Sequence, residues 1–173
     1  MNKSAQPTTS MLSASVVSPG RLGAALARAV DIAQEHRCSL SVIAVAIDDA
    51  AEQAAQQGLS VAQLEQQVGS ILVNMLRSID IVGRRPEGGF IIITAPSHHF
   101  EGEEVAARLI KAVKNVVVEG SPELTLSCGV AAYRANDTAT SFSERAVAAL
   151  ARSLARGGGC TVSENVDEST FSP

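Results

Sequence analysis

Tryptophan is absent, and one tyrosine and four phenylalanines are all the aromatics in the 173-residue chain. A surface that stacks single-stranded bases needs several aromatic faces, so that function class is excluded. Positive charge is also scarce: 14 lysines and arginines against 18 aspartates and glutamates leave a net charge of −4. Such a chain has no general affinity for DNA or RNA, although a local cluster of arginines could still hold a small anion. The cysteines are Cys38, Cys128 and Cys160. An odd count at wide spacing gives neither a disulfide framework nor a zinc site, and the three read as small hydrophobes in a reducing compartment. No apolar run reaches the ~18 residues of a membrane span. The N-terminus lacks the basic-then-apolar order of a signal peptide. The expectations are no membrane insertion and a cytoplasmic location.

What is abundant is aliphatic. Apolar residues make up 46% of the chain, chiefly Ala, Val, Ile and Leu, enough for one domain with a real core. Residues 1–17 are rich in Ser, Thr and Ala and read as a flexible lead. Ser18 suits a helix N-cap and Pro19 the first helical position. Leu22, Leu26, Ala29, Val30 and Ile32 then form a helical stripe. Leu40 to Ile47 is β-rich and, Ser41 aside, apolar, the mark of a strand buried on both faces. A short helix is expected over 49–57. Ser60 should cap another, whose stripe is Leu64, Val68, Ile71, Leu72, Met75 and Leu76. Ile79–Gly83 and Gly89–Thr94 read as strands joined by the turn Arg84-Arg85-Pro86-Glu87-Gly88. Glu101–Val118 reads as a helix, acidic at its start and basic at its end. Leu124–Ala132 reads as a strand and Phe142–Arg156 as a helix stopped by Gly157-Gly158-Gly159. Cys160-Thr161-Val162 is the last candidate strand, and 164–173 is a polar tail. Strands alternating with helices, plus one hairpin, predict an α/β fold with a mixed central sheet flanked by helices.

Several stretches resemble one family. Ile79-Asp80-Ile81-Val82-Gly83-Arg84 followed by Phe90-Ile91-Ile92-Ile93, Leu124 to Ala131 with its Ser127-Cys128-Gly129-Val130-Ala131, and Arg145 to Gly157 lie in the order and spacing of the GGDEF domain of diguanylate cyclases. The resemblance covers about 17–163 and implies a nucleotide-cyclase-like (GGDEF) sandwich with a signature hairpin, over 18–163. Family members join two GTP molecules with Mg²⁺ held by carboxylates. In register the signature Gly-Gly-Asp/Glu-Glu-Phe falls on Pro86-Glu87-Gly88-Gly89-Phe90, where only Phe90 matches. The family's metal-binding Asp falls on Ala46, while Asp48 matches a second Asp with a structural part. The Phe-Lys that follows becomes Ala50-Ala51. The guanine-contacting positions fall at or beside Ala54 and near Ala62 or Gln63, and the triphosphate-holding ones on Leu154 and Gly158. The resemblance therefore implies a degenerate active site, with no catalytic residue, metal or cofactor, and not an enzyme. Residual turnover through Glu87 and Asp48 is the weakest alternative.

The family's product-binding inhibitory site, Arg-x-x-Asp, has its counterpart in Arg77-Ser78-Ile79-Asp80, and its completing arginine in Arg108. The implied ligand is cyclic di-GMP. A guanidinium matches guanine O6 and N7 and also pairs with phosphate or stacks on a purine. A carboxylate accepts from guanine N1–H and N2–H. Arg77 and Asp80, three apart at an expected helix end, should share a face. The expectation is a non-catalytic cyclic di-GMP receptor that signals to an unidentified protein partner or by a homodimer formed on binding. The alternative is a ligand-free scaffold in which the three residues are ordinary surface charges. Four other features read blandly. His98-His99 lack partners at metal spacing and read as solvated loop, and Arg84-Arg85 as turn residues. Gly157-Gly158-Gly159 follows a helix and so reads as its stop, not a phosphate loop. Ser127-Cys128 lies in a strand with no paired base.

Overall fold

The computed structural model describes residues 15–94, 102–115 and 123–164. Five strands form one mixed sheet in the order β2-β3-β1-β4-β5. The central strand, β1 (Ser41–Ile47), pairs antiparallel with β3 (Phe90–Ile93) on one side and β4 (Leu126–Ala132) on the other. β2 (Ile81–Arg84) pairs antiparallel with β3, and β5 (Thr161–Ser163) runs parallel to β4. Strand alternation sends Ile43, Val45 and Ile47 to one face and Val42 and Ala44 to the other. On the first face they meet Leu64, Val68 and Leu72 of α3 (Val61–Met75) and Val105, Leu109 and Val113 of α4 (Gly102–Lys114). On the second they meet Leu22, Leu26 and Val30 of α1 (Pro19–His36) and Phe142, Ala146 and Leu150 of α5 (Ala139–Ala155). Both faces are therefore dry, which is why the strand's sequence is apolar without alternation. The short α2 (Ala50–Gln56) leads into α3, whose Ser60 and Gln63 make a reciprocal capping box.

The mixed sheet and flanking helices agree with the sequence expectation, and the differences are local. α5 begins at Ala139 rather than Phe142, because Thr138 and Ser141 form a second capping box that starts the helix one turn earlier. The first strand of the hairpin begins at Ile81, since Arg77 to Asp80 close a turn in which the Asp80 N–H donates to Arg77 O at 3.0 Å. Gly88 and Gly89, at φ of 96° and 77°, belong to the hairpin turn rather than to β3. β4 begins at Leu126 and β5 at Thr161. Ser18 sits at the α1 N-cap with Pro19 following, but its side chain makes no capping bond. Val16 and Val17 join the folded body: Val16 packs on the first core face, and Val17 N–H donates to Val82 O at 2.8 Å along the outer edge of β2. The expected helix residues Glu101 and Val116 to Val118 lie outside the described residues.

Close approach of α5 to β4 fixes the second layer. A Cβ on Gly129 would lie 2.0 Å from Leu150 N and 2.2 Å from Ala146 O. Gly129→Ala should therefore destabilise the fold by about 3 kcal/mol, the upper end of overpacking costs. Gly23, inside α1 with nothing within 4 Å of such a Cβ, gives the opposite expectation. Gly23→Ala should stabilise by about 0.5–1 kcal/mol. Urea unfolding of both variants measures the contrast.

Candidate functional site

The hairpin between β2 and β3 lies against the end of β1. Val45 pairs with Phe90, and a Cβ on Gly89 would lie 2.3 Å from Val45 O and 3.4 Å from the Ala46 Cα. The positive φ and this contact together leave room for no side chain at position 89 in the observed backbone. The turn is held from α3. Glu65 Oε1 accepts from the Gly89 N–H at 2.9 Å, and Glu65 Oε2 accepts from Arg84 Nη1 at 3.1 Å. The Glu65 side chain is only 14% exposed, so this pair is shielded from competing water. Glu87 points outward at 70% exposure and pairs loosely with Arg85 at 3.7 Å. Arg84 and Arg85 thus both have acidic partners within the turn's surroundings.

Asp48, just past β1, is a junction. Its Oδ1 accepts from Ser127 Oγ at 2.6 Å, and its Oδ2 accepts from Thr125 Oγ1 at 2.8 Å and from the Gly159 N–H at 2.9 Å. The glycine loop wraps this carboxylate: Gly157, Gly158 and Gly159 have φ of 101°, 74° and 65°, and a Cβ on Gly158 would sit 2.9 Å from Asp48 Oδ1. The loop ends α5 and closes on Asp48, so it carries no phosphate-binding geometry at a helix start. Ser127 is committed to the same carboxylate. Burial, then the nearby Asp48 and Cys160, push the Cys128 thiol up from 9.0 to about 12. It remains a protonated core residue, not a nucleophile. Among the described residues no three His, Cys, Asp or Glu cluster as a metal site would need. His98 and His99 lie outside the described residues.

The three arginine-carboxylate candidates sit on the α3/α4 side of the sheet. Arg77 and Asp80 follow the end of α3 rather than occupying it, so they share a turn and not a helix face. The turn fixes the carboxylate, because Asp80 Oδ2 accepts from the Arg77 N–H at 3.0 Å. The Arg77 side chain is exposed. A crevice of about 160 Å³ opens here, lined in part by Val73, Leu76, Arg77, Asp80 and Val82. Arg108 is an exposed residue of α4, the helix packed beside α3, and it does not line that crevice. The side chains that hold the frame were not legible in advance. Glu65 reaches the hairpin across 24 residues of sequence. Arg145 joins Asp137, the Ala132 carbonyl and, at 2.7 Å, Glu164. Neither has a spacing signature.

Three outcomes are expected. Glu65→Ala leaves a buried N–H and a guanidinium without their acceptor, and should cost about 2–3 kcal/mol in denaturant unfolding. The Cys128 thiol should resist iodoacetamide in the native chain at pH 8 while Cys38 and Cys160, both partly exposed, react, as peptide mass mapping would record. Because the folded chain keeps this proton and the unfolded chain releases it, stability should fall as pH rises from 9.0 toward about 12.

A profile of the family described as "Diguanylate cyclase, GGDEF domain" matches residues 20–160. No curated protein matches the chain by sequence. Solved structures share the fold. The diguanylate cyclase SiaD of Pseudomonas aeruginosa, determined with its activator SiaC, superposes with a TM-score of 0.78 at 20% identity, over 86% of this chain and 59% of that chain. The chain thus spans well under two thirds of SiaD. The isolated GGDEF domain of YfiN, also from Pseudomonas aeruginosa, gives a TM-score of 0.79 at 21% identity, over 89% of this chain and 99% of that one. The GGDEF domain of DgcB from Caulobacter crescentus, determined in complex with c-di-GMP, gives 0.76 at 18% identity, over 93% and 98%. With the family profile spanning most of the chain and the sheet order in place, the chain belongs to the GGDEF domain family.

Proposed function

We propose that this GGDEF domain is a non-catalytic receptor for cyclic di-GMP, which it takes up at Arg77, Asp80 and Arg108. The observation that carries the reading is the Arg77–Asp80 turn. Its carboxylate is oriented by a backbone bond while the Arg77 side chain remains at the surface. A carboxylate set in advance loses little freedom when it accepts from a guanine edge. The crevice of about 160 Å³ is smaller than a pocket that swallows a ligand, typically about 300 Å³ or more. The dinucleotide would therefore lie across the rim, with Arg108 approaching from the neighbouring helix. Ile79, 65% exposed in the same turn, offers apolar surface beside it. DgcB, a relative of the same fold, was determined with c-di-GMP bound.

The non-catalytic half of the proposal rests on the hairpin. Mg²⁺ needs several oxygen donors in octahedral array. Here the position beside Gly89 is Ala46, position 89 has no room for a side chain, and Asp48 is engaged by Thr125, Ser127 and Gly159. These residues do not fit the metal, which supports the reading that metal-borne charge stabilisation of phosphate chemistry is missing here.

Calorimetry with cyclic di-GMP tests the proposal. Binding at about micromolar or tighter Kd is expected. Arg77→Ala and Asp80→Ala should each weaken it by roughly 10- to 100-fold, the worth of a charge-assisted hydrogen bond. Arg108→Ala should weaken it by about tenfold. Incubation with GTP and Mg²⁺ should give no cyclic di-GMP. Absence of heat at high ligand concentration would leave the ligand-free scaffold as the reading. Turnover of GTP would overturn the non-catalytic half.

A further inference from the structure

The two edges of the sheet are treated differently. The outer edge of β2 is covered by the chain itself, through Val17 N–H to Val82 O at 2.8 Å and Arg84 N–H to Val17 O at 3.2 Å. On the outer side of β5, at the other end of the strand order, no strand pairs among the described residues. Cys160 O accepts from Cys128 N–H, and Glu164 N–H donates to Val130 O. Cys160 and Glu164 thus face β4, and alternation turns the backbone N–H and C=O of Thr161 and Ser163 outward.

That open edge is the floor of a groove of about 490 Å³. Its walls come from opposite faces of the sheet: Glu103 from α4, and Arg152 of α5 with Arg156 at that helix's C-cap. Both arginines are exposed, and neither has an ion-pair partner among the described residues. They differ from the ordinary way of blunting an edge, in which a charge projects over the strand to repel a neighbour. One wall is cationic and the other carries a single carboxylate, so the groove discriminates between the two faces of an incoming strand.

The spacing also matches. Residues four apart on a helix are ~6 Å apart along its axis, and alternate residues of a strand ~6.7 Å apart. α5 crosses from β4 to the parallel β5, so its axis runs back along the strands. Arg152 and Arg156 therefore line up with alternate side chains of a strand laid beside β5. We propose that the outer edge of β5 is a docking site for an extended acidic segment of a partner protein, which adds a strand to the sheet and places carboxylates at alternate positions on Arg152 and Arg156. The intervening side chains, facing Glu103, are uncharged hydroxyl residues or basic ones. Main-chain bonds to Thr161 and Ser163 supply the pairing, and the two arginines supply the choice of partner. The site is independent of the Arg77–Asp80 turn, so its failure would leave the cyclic di-GMP reading untouched.

The test uses the full chain and a fluorescein-labelled eight-residue peptide alternating glutamate and threonine, followed by anisotropy. Saturable binding is expected, with slowed hydrogen exchange at the Thr161 and Ser163 amides. Arg152→Glu combined with Arg156→Glu should weaken binding at least tenfold and let a lysine–threonine peptide bind instead, a reversal that misfolding could not produce. No binding at millimolar peptide, or binding indifferent to the charge reversal, would overturn the proposal. So would slow exchange of the Thr161 and Ser163 amides in the chain alone, because the edge would then already be paired.

Discussion

Everything in this domain is referred to β1, a strand closed off on all four sides. Antiparallel ladders to β3 and β4 satisfy its backbone, and helices cover both of its faces. Residues Val42 to Val45 are completely inaccessible to water. A strand so enclosed cannot shift register, since a slip of one residue would exchange its two apolar faces and break two ladders at once. The consequence is positional. The hairpin is carried by β3, the Asp48 junction by the end of β1, and the glycine loop is tied to that junction and to β4 by the Gly159 N–H, which donates to Asp48 and Ser127.

At the hairpin the same frame fixes how the nearby negative charge is used. Gly88 and Gly89 carry none, and the largely buried carboxylate of Glu65, 14% exposed, accepts from the Gly89 N–H and from Arg84. A carboxylate engaged by one backbone donor and one guanidinium serves the turn's shape, because removing it would leave both donors without a partner. Asp48 is used the same way, on Thr125, Ser127 and Gly159. Glu65 and Asp48 therefore act as struts, while Glu87 points outward. Arg77 and Arg108 on the α3/α4 side, and Arg152 and Arg156 beside β5, are among the exposed cationic residues.

The sequence was most informative where one dimension suffices. The largely apolar run of β1, the stripes of α1 and α3, and the Ser60 cap are all local patterns, and each has its counterpart in the structure. It was less informative at boundaries decided by a single side chain. Thr138 with Ser141 starts α5 early, and the Arg77–Asp80 turn delays β2. Long-range struts were invisible: nothing about Glu65 in its helix announces the Gly89 N–H, and nothing about Arg145 announces Glu164. Family resemblance supplied the Arg77, Asp80 and Arg108 candidates. The structure adds that the first two share a turn and the third stands on the adjoining helix.

A crystal structure of the chain grown with cyclic di-GMP tests the central claim most directly. The account predicts density for the dinucleotide at the Arg77–Asp80 turn, a guanine edge on the Asp80 carboxylate and the Arg108 guanidinium on the ligand, with Gly88 and Gly89 untouched. Density at the hairpin with the turn bare would contradict it.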